Sequence, residues 1–325
     1  MKIGIVYSEG DFSEAFPHDY KGRTSFFEDV NEALRNLKLE TVLIPANKDM
    51  FETLIKGKFN AVFNAADEGY NMNTQLEPQI PAILDIIGVP YTGSNYLTLG
   101  LCLDKVKTKQ LLIANGLPTA DFIVIEEKID ENIDLKKLKF PMIVKPSRED
   151  GSIGIKADSV VDNKKELINK VNEVLKIYKQ PILVEEFIQG REIYVGILGR
   201  DDLNVLPLSE IQFTLPEGKK HFLPYEAKWE EDSVYYTGTT PACPAKIDKE
   251  LEEKLRSLAK KAYKLFNLRD YGRVDFRIDK EGRPFILEVN PNPDISRNAG
   301  LANMAKANNI SYEDLIFSII KNSKR

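Results

Sequence analysis

The stretch from Tyr271 to Pro293 constrains the fold of this chain most, because it predicts a β-hairpin with one polar and one apolar face. It reads YGRVDFRIDKEGRPFILEVNPNP, two alternating runs around a Lys-Glu-Gly-Arg turn. Opposite residues of an antiparallel pair keep a constant index sum, so Asp275 falls opposite Glu288 and Arg273 opposite Asn290. The side-chain period of two places all of them on one face. The apolar face would hold Val274, Phe276, Ile278, Leu287 and Val289.

The polar face of this hairpin offers three oxygen ligands beside a cation. Asp275, Glu288 and Asn290 supply the oxygens, and Arg273 supplies the positive charge. Hard oxygen ligands with an open side suit Mg²⁺ bound to a nucleotide. The Asn-Pro-Asn-Pro turn ends the second strand at Asn290, a position where sites are commonly built. The alternative for this pattern alone is an ordinary solvated face of a hairpin.

Length and composition indicate a globular protein of several domains. A chain of 325 residues is too long for one ordinary core and suggests two or three domains. Hydrophobic residues at 42% and charged residues at 29% are typical of a soluble globular protein. Without an apolar run of about 18 residues, no membrane span is expected. The first residues are strand-like and lack a signal-peptide pattern, so we expect a cytoplasmic protein.

Several chemistries are disfavoured by the residues that the chain lacks. Cys102 and Cys243 are too few for a disulfide framework, and His18 and His221 offer no zinc cluster. The sequence has no G-x-S-x-G elbow, which argues against a serine hydrolase. A net charge of −5 without basic clusters and interleaved aromatics argues against nucleic acid as a partner.

The order of predicted elements indicates a parallel α/β layer followed by α+β units. Strand patterns at 2–7, 40–44 and 59–63 alternate with helical patterns, as in a parallel sheet. Asp104 can cap a helix that runs to Gly116. A small α+β unit follows, and its predicted elements are strands at 140–145, 155–160 and 181–187 and a helix at 164–178. The remainder is strand-rich, with a helix at 247–266, the hairpin and two closing helices. We therefore predict domains at 1–95, 96–188 and 189–325.

The loop after the strand 140–145 has the composition of a phosphate-binding loop. It reads KPSREDGSIG from Lys145 to Gly154. Glycines let backbone N–H groups approach phosphate oxygens, Ser152 can add a hydroxyl, and Lys145 can add a point charge. The loop is not a Walker A motif. The alternative for the loop alone is an ordinary hairpin connection.

The run PILVEEFIQGRE, residues 181–192, is an apolar strand that leads into paired acids and a glycine turn. An apolar wall beside carboxylates suits an adenosine, and Glu192 could bind the ribose hydroxyls. The alternative is a strand end with solvated acids. The coexistence of a phosphate loop, a nucleoside wall and a magnesium hairpin in one chain favours a nucleotide site.

A series of motifs in matching order resembles the D-alanine:D-alanine ligase branch of the ATP-grasp enzymes. The resemblance spans the chain from about Ile83 onward. Its motifs are GVPYTGS at 88–94, DKVKTK at 104–109, VKPSRE at 144–149 with GSIG at 151–154, VEEFIQGRE at 184–192, YEAK at 225–228, CPA at 243–245, GRVD at 272–275 and EVN at 288–290.

This resemblance implies an ATP-grasp fold with an N-terminal α/β domain, and an ATP-dependent ligase that joins a carboxylate to an amine through an acylphosphate. It implies that Lys105 and Lys145 contact ATP phosphates, Ser152 covers them and Lys228 reaches the γ-phosphate. Arg273 would stabilise the tetrahedral intermediate and the acylphosphate. The remaining implied ligands are Glu185, Glu186, Ile188 and Glu192 for adenosine, and Asp275, Glu288 and Asn290 for two Mg²⁺ ions, with Mn²⁺ as a substitute. Similar ligases bind amino acids and are commonly homodimers.

Departures from the family pattern concentrate at the substrate positions. The family usually has serine at Gly151 and tyrosine at Trp229. Its first-substrate elements have no clear equal at 9–24 and only a loose one at 64–75. Its acceptor motif becomes NPNPDIS at 290–296, which puts Asp294 at a glycine position, and Ala299-Gly300 replaces Ser-Leu. We expect retained ATP machinery and altered substrate pockets.

Two other functions remain open at this point. A true D-alanyl-D-alanine ligase with compensated changes is one, since motifs do not decide the specificity of a small pocket. An ATP-grasp phosphotransferase or a non-catalytic nucleotide-binding protein is the other. Arg273 favours a ligase, because an acylphosphate intermediate needs it after phosphoryl transfer.

Overall fold

The N-terminal part of the chain forms the predicted parallel α/β layer. The computed structural model describes residues 1–9, 26–135 and 138–323. Three parallel strands lie in the order β2-β1-β3, and β3 is buried along its whole length. The elements are β1 (Lys2–Tyr7), α1 (Phe27–Asn36), β2 (Glu40–Pro45), α2 (Met50–Gly57), β3 (Ala61–Ala65), a 3₁₀ turn (Thr74–Leu76) and α3 (Gln79–Ile87).

A second, antiparallel sheet forms the central unit. Its strand order is β4-β7-β5-β6, and helix α6 packs on it through a buried cluster that includes Leu167 and Val171. The elements are β4 (Phe122–Ile125), β5 (Met142–Pro146), β6 (Val160–Val161), α6 (Lys164–Tyr178) and β7 (Ile182–Glu186). The strand predicted at 155–160 is wrong for most of its length. Ile155 N–H donates to the Ser152 carbonyl and Ser159 N–H to the Lys156 carbonyl, so turns occupy this segment.

The third sheet carries the hairpin. Its order is β11-β10-β8-β12-β13, and β9 pairs with β8. The strands are β8 (Arg191–Leu198), β9 (Asn204–Val205), β10 (Ser209–Phe213), β11 (Thr239–Ala242), β12 (Tyr271–Ile278) and β13 (Pro284–Asn290). The helices are α4 (Tyr96–Leu103), α5 (Lys105–Ala114), α7 (Glu226–Trp229), α8 (Val234–Thr237) and α9 (Lys249–Leu265), followed by α10 (Gly300–Ala307) and α11 (Tyr312–Asn322).

The hairpin register is as predicted at its functional end, but the other end contains a β-bulge. Arg273 pairs with Asn290 and Asp275 with Glu288. A register shift after Asp275 then sets Phe276 opposite Ile286. The prediction that Leu287 lies on the apolar face is therefore wrong: Ile286 joins the core cluster, and Leu287 lines a cavity. The bulge adds one residue to β13 and turns Leu287 away from the core.

The cores connect segments that are distant in sequence. The closing helices α10 and α11 pack on the first sheet, where Leu315 and Ile319 join the cluster of Ile3 and Ile5. Helix α5 contributes Leu112 to the core of the third sheet. The mixed α/β and α+β class is confirmed, whereas the boundaries at 95 and 188 stay a prediction. No described helix is long and apolar enough to cross a membrane.

Candidate active site

Arg273 and Asp275 form an ion pair on the polar face of the β12–β13 hairpin. Nε of Arg273 donates to Oδ1 of Asp275 at 2.7 Å, and Nη2 donates to Oδ2 at 2.8 Å. The Asp275 side chain is buried, and the guanidinium lies 4.5 Å from the centre of the Tyr194 ring. Burial lowers the pKa of Arg273, but Asp275 outweighs burial and holds it above the ordinary value. The arrangement fixes a permanent cation at the base of the hairpin.

Glu288 is a carboxylate surrounded by charges of both signs. Burial raises its pKa, and the nearby charges of Asp150 and Asp275 raise it further, whereas Lys105 and Lys228 oppose the shift. Burial and neighbouring acids both disfavour the charged form of a carboxyl group, whereas a nearby cation favours it. An added cation beside Glu288 would therefore favour its charged form and offset the repulsion from Asp150 and Asp275.

A buried lysine–glutamate–lysine group joins two strands of the central sheet to helix α5. Glu185 on β7 pairs with Lys145 on the neighbouring strand β5, and with Lys109 of α5 at 2.5 Å. All three side chains are almost fully buried. Burial raises the pKa of Glu185, but the two lysines outweigh burial and hold it below the usual value. Burial lowers the pKa of Lys109. Glu185 therefore fixes the position of Lys145, which lines the cavity described next.

A cavity lies between the central and third sheets. One end is apolar, with side chains from the two walls and from the segment before α7. The apolar lining includes Ile143, Ile155, Phe187, Ile188, Phe222, Phe285 and Leu287. The other end is charged, with Lys105, Lys145, Lys228, Asp275 and Glu288. An apolar pocket that leads to convergent cations has the chemistry of a nucleotide site.

The acids of the predicted adenosine wall have different surroundings. Glu192 is buried and held by Nη1 of Arg277 at 3.0 Å and by the hydroxyl of Tyr194 at 2.7 Å. Glu186 lines the cavity and accepts the backbone N–H of Lys139 at 2.8 Å. Glu192 is thus fixed in orientation from the protein side, as a residue that selects a ligand hydroxyl would need to be.

The loop at 149–154 covers the charged end of the cavity. Gly151 and Ser152 both have left-handed backbones, with φ of +62° and +66°. The hydroxyl of Ser152 donates to the carbonyl of Leu223 at 3.0 Å, and Nζ of Lys105 contacts the carbonyl of Glu149. The loop is therefore tied to the segment before α7 on one side and to α5 on the other.

A second cavity adjoins the first. Four residues line both: Lys105, Asp150, Lys228 and Glu288. Its other walls come from the loop before α3, helix α4, the turn after β13 and the start of α10. Arg273, Asn290, Trp229 and Asp294 are among its lining residues. The segment 10–25, which contains most of the predicted first-substrate element 9–24, lies outside the described residues.

The structure brings all the predicted site residues to these two cavities. The first contains Lys105, Lys145, Ser152, Glu185, Glu186, Ile188, Glu192, Lys228, Asp275 and Glu288. The second adds Arg273 and Asn290. Lys109, Asp150, Phe222 and Leu287 also line the cavities without having been predicted as site residues. Lys109 lies within the motif at 104–109, and Asp150 lies within the loop from Lys145 to Gly154. No quoted motif includes Phe222, and Leu287 was expected on the apolar face of the hairpin.

The comparison with protein families decides the class of this chain. Residues 111–321 match the family described as D-ala D-ala ligase C-terminus. A D-alanine–D-alanine ligase of Carboxydothermus hydrogenoformans is 34% identical over 328 residues, which cover 98% of this chain and 97% of the relative. The chain belongs to the D-alanine–D-alanine ligase family. It is an ATP-dependent ATP-grasp ligase that forms an amide bond.

The chain is also similar to a further sequence relative and to solved ligase structures. An uncharacterised protein of Sinorhizobium fredii is 35% identical over 303 residues, covering 90% of this chain and 85% of the relative. The structure of a D-alanine–D-alanine ligase from Bacillus anthracis, complexed with ATP, superposes with a TM-score of 0.76 at 27% identity, covering 99% and 96% of the two chains. The VanG D-Ala:D-Ser ligase of Enterococcus faecalis has a TM-score of 0.74 at 20% identity over 99% of both chains, which shows the shared fold.

Proposed function

We propose that this ligase joins two amino acids, or an amino acid and a related amine, through an acylphosphate. The observation that supports this proposal is the junction of the two cavities at Lys105, Asp150, Lys228 and Glu288. ATP in the first cavity would present its γ-phosphate at this junction, and the amino acids would meet it from the second. The carboxylate of the donor attacks the γ-phosphorus and ADP leaves. The amine of the acceptor then attacks the acyl carbon, loses a proton and displaces phosphate.

The cationic side chains are suited to this chemistry because phosphoryl transfer depends on positioning and charge stabilisation. We assign Lys105, Lys145 and Lys228 to the ATP phosphates, and the loop with Ser152 to their cover. Arg273 lines the second cavity next to the junction, where negative charge develops on the acyl oxygen. Glu186, Ile188 and Glu192 would hold the adenosine. Glu185 would act there through Lys145, since two lysines already bind its carboxylate.

The hairpin face fits magnesium by its donor chemistry. Glu288 lies near the acids Asp150 and Asp275, and Asn290, whose side chain carries an amide oxygen, lines the second cavity. Arg273 occupies one position on each oxygen of Asp275, but an ionised carboxylate has about four lone-pair sites, so Asp275 keeps acceptor capacity. Among the residues that the structure describes, no three His, Cys, Asp or Glu side chains form a metal-binding group. We propose that Asp275, Glu288 and Asn290 hold two Mg²⁺ ions together with phosphate oxygens, and that Mn²⁺ can replace them. The ions would neutralise phosphate charge.

Three acidic lining residues of the second cavity support the proposal of substrates other than D-alanine. Asp67, Glu77 and Asp294 line it, and the start of α10 has Ala299 and Gly300 where the family has hydroxyl and apolar side chains. The carboxylate of an acceptor in this cavity would therefore meet the negative charge of Asp294, which stands where the family has glycine. We propose an acceptor that differs from D-alanine in its carboxylate or side chain.

The second candidate function is synthesis of D-alanyl-D-alanine. The relative of Carboxydothermus hydrogenoformans has that name and aligns over nearly the whole chain, which favours unchanged substrates. The expected homodimer and cytoplasmic location stay predictions under both candidates. Light scattering on the purified chain would measure the oligomeric state.

The decisive experiment measures ADP and phosphate release with candidate amino acids, alone and in pairs, with D-alanine included. Turnover that needs two substrates supports a ligase, and the pair with the highest kcat/KM identifies them. If D-alanine without a second amino acid gives the highest kcat/KM, the result supports synthesis of D-alanyl-D-alanine. Hydroxylamine with a single donor should yield a hydroxamate from the acylphosphate. Nucleotide binding without release or hydroxamate across the panel would overturn the proposal in favour of a binding role.

A further inference from the structure

The loop over the charged end of the nucleotide cavity has a strained backbone. Ser152 lies in the left-handed region with φ of +66°, between Gly151 at +62° and Gly154 at +76°. A non-glycine residue reaches this region only where surrounding contacts hold it. The relevant contacts are therefore those that the loop makes with its neighbours.

The neighbour on the side of the third sheet is the segment that contains α7. Tyr225 N–H donates to the carbonyl of Ile155 at 2.7 Å, and the hydroxyl of Ser152 donates to Leu223. Nε1 of Trp229 donates to the carbonyl of Gly151 at 3.0 Å. The indole N–H therefore bonds to the peptide group between Gly151 and Ser152, both of which have a positive φ.

Trp229 also belongs to the second cavity. Its side chain is partly buried, and it lines that cavity together with Gly151, Ile153 and the neighbouring Lys228. A Cβ atom placed on Gly151 would lie 3.8 Å from Cζ2 of the indole, so the ring packs against this glycine. One side chain thus touches the ATP cover with its N–H and forms a wall of the amino acid cavity with its ring.

We propose that Trp229 is a positioning residue, which holds the loop 149–154 closed over ATP and makes that closure respond to the amino acid cavity. The response to the amino acid cavity rests on the proposed function. The hydrogen bond from Trp229 to the loop concerns ATP binding alone. A ligand beside the ring restricts the indole and favours the bonded loop. The hydrogen-bonded loop in turn favours nucleotide binding, because the coupling between two bound ligands is reciprocal.

The first test compares the affinity of three proteins for AMPPNP with Mg²⁺ by calorimetry: the wild type, Trp229→Phe and Tyr236→Phe. Phenylalanine keeps an aromatic wall but removes the N–H donor. We expect the Kd of Trp229→Phe to rise about three- to tenfold, the effect of one neutral hydrogen bond. Tyr236 lies on α8 and lines neither cavity, so its variant should bind as the wild type does. An unchanged Kd in Trp229→Phe, with or without a lowered Tm, would show a structural role only.

The second test needs no substitution, because Trp229 is the one tryptophan of the chain. Acrylamide quenching of its fluorescence reports the accessibility of the indole. We expect AMPPNP to reduce the quenching constant, and the amino acid pair found by the turnover screen to reduce it further. Equal quenching in all states would overturn the proposal even if Trp229→Phe failed to fold.

The two tests separate this inference from the proposed function. AMPPNP binding and quenching require no amide-bond formation, so a protein without ligase activity still gives both readings. If other contacts hold the loop, Trp229→Phe would keep full turnover and an unchanged KM for ATP. That result would refute the role of Trp229 and leave the ligase function standing.

Discussion

Arg273 and Asp275 lie two residues apart on β12 and bind each other through both carboxylate oxygens, at 2.7 and 2.8 Å. They face the same cavity system, one assigned to the acyl intermediate and the other to metal. The pair therefore fixes the distance between the cation that would stabilise the intermediate and the hairpin ligands that would hold Mg²⁺. Two-point geometry of this kind depends on a planar guanidinium.

Arg273→Lys should lower kcat about a hundredfold with a smaller change in the KM for ATP. Lysine keeps the charge but not the two-point bond, so the cation would no longer be held beside the acyl carbon. Steady-state kinetics with saturating substrates measures the effect. Arg283→Lys, at an exposed turn of the same hairpin, is the matched control and should change neither constant. Equal kcat in both variants would remove Arg273 from the reaction.

Glu288→Gln should lower turnover by about two orders of magnitude and raise the Mg²⁺ concentration needed for half-maximal activity. The amide keeps the shape of the side chain but removes one charged oxygen donor. Turnover as a function of Mg²⁺ concentration is the measurement. Glu281→Gln in the exposed hairpin turn serves as the control. Unchanged turnover in a folded Glu288→Gln protein would contradict the metal assignment.

Glu185→Gln should destabilise the fold, because it leaves Lys109 and Lys145 buried without a counter-charge. Removal of one partner from a buried ion pair costs about 3–5 kcal/mol in free energy of unfolding. Urea unfolding measures the loss. Glu173→Gln is the control: it removes a half-exposed partner of Lys170, and such pairs contribute about 0–1 kcal/mol. A stable Glu185→Gln protein with weakened AMPPNP binding would instead support direct contact of Glu185 with adenosine.

The hairpin could be predicted from sequence because its signals are local. Alternation with a period of two set the faces, and the turn set the register from Arg273–Asn290 to Asp275–Glu288. The bulge was not predictable, because Ile286 and Leu287 are both apolar and the pattern does not say which of them faces the core. Leu287 consequently lines the nucleotide cavity instead of the core.

Contacts between residues that are far apart in sequence could not be predicted either. The sequence indicated Lys145 and Glu185 separately, but not that Glu185 binds Lys145 and Lys109, since that depends on how β5, β7 and α5 pack. The bond from Trp229 to Gly151 likewise joins residues 78 positions apart. Gly151 and Trp229 each depart from the family pattern, but only the packing of α7 on the loop shows that they touch.

Asp270→Asn should flatten the pH dependence of stability between about pH 4 and 6. Burial raises the pKa of Asp270 to about 6 from 3.8, although its carboxylate accepts the N–H of Gly93 at 2.9 Å. The folded state thus binds the proton more tightly than the unfolded state. The contribution of Asp270 to stability is fully present below its pKa in the unfolded state. About 3 kcal/mol of the free energy of unfolding is lost as the pH rises through 6.

Asparagine can still accept the N–H of Gly93 without ionising, so the variant should gain stability relative to the wild type as the pH rises. Urea unfolding of both proteins from pH 4 to 8 measures the difference in free energy, in which the other titrating groups largely cancel. Asp201→Asn, at an exposed loop, is the control and should follow the wild type. Parallel curves for Asp270→Asn and the wild type would show that Asp270 does not titrate in this range.

The pair Gly151 and Trp229 should be strongly non-additive when the family residues are restored. Gly151→Ser alone places a side chain at φ of +62° and against the indole, so we expect a severalfold loss of kcat/KM for ATP. Trp229→Tyr alone removes the indole donor. In the double variant the serine hydroxyl and the tyrosine can occupy the space of the indole, so its loss should be smaller than the two single losses combined. A double-mutant cycle on kcat/KM measures this coupling, and D-alanine use in the double variant tests whether the same pair filters substrate. Additive losses would mean that the two positions act separately despite their contact.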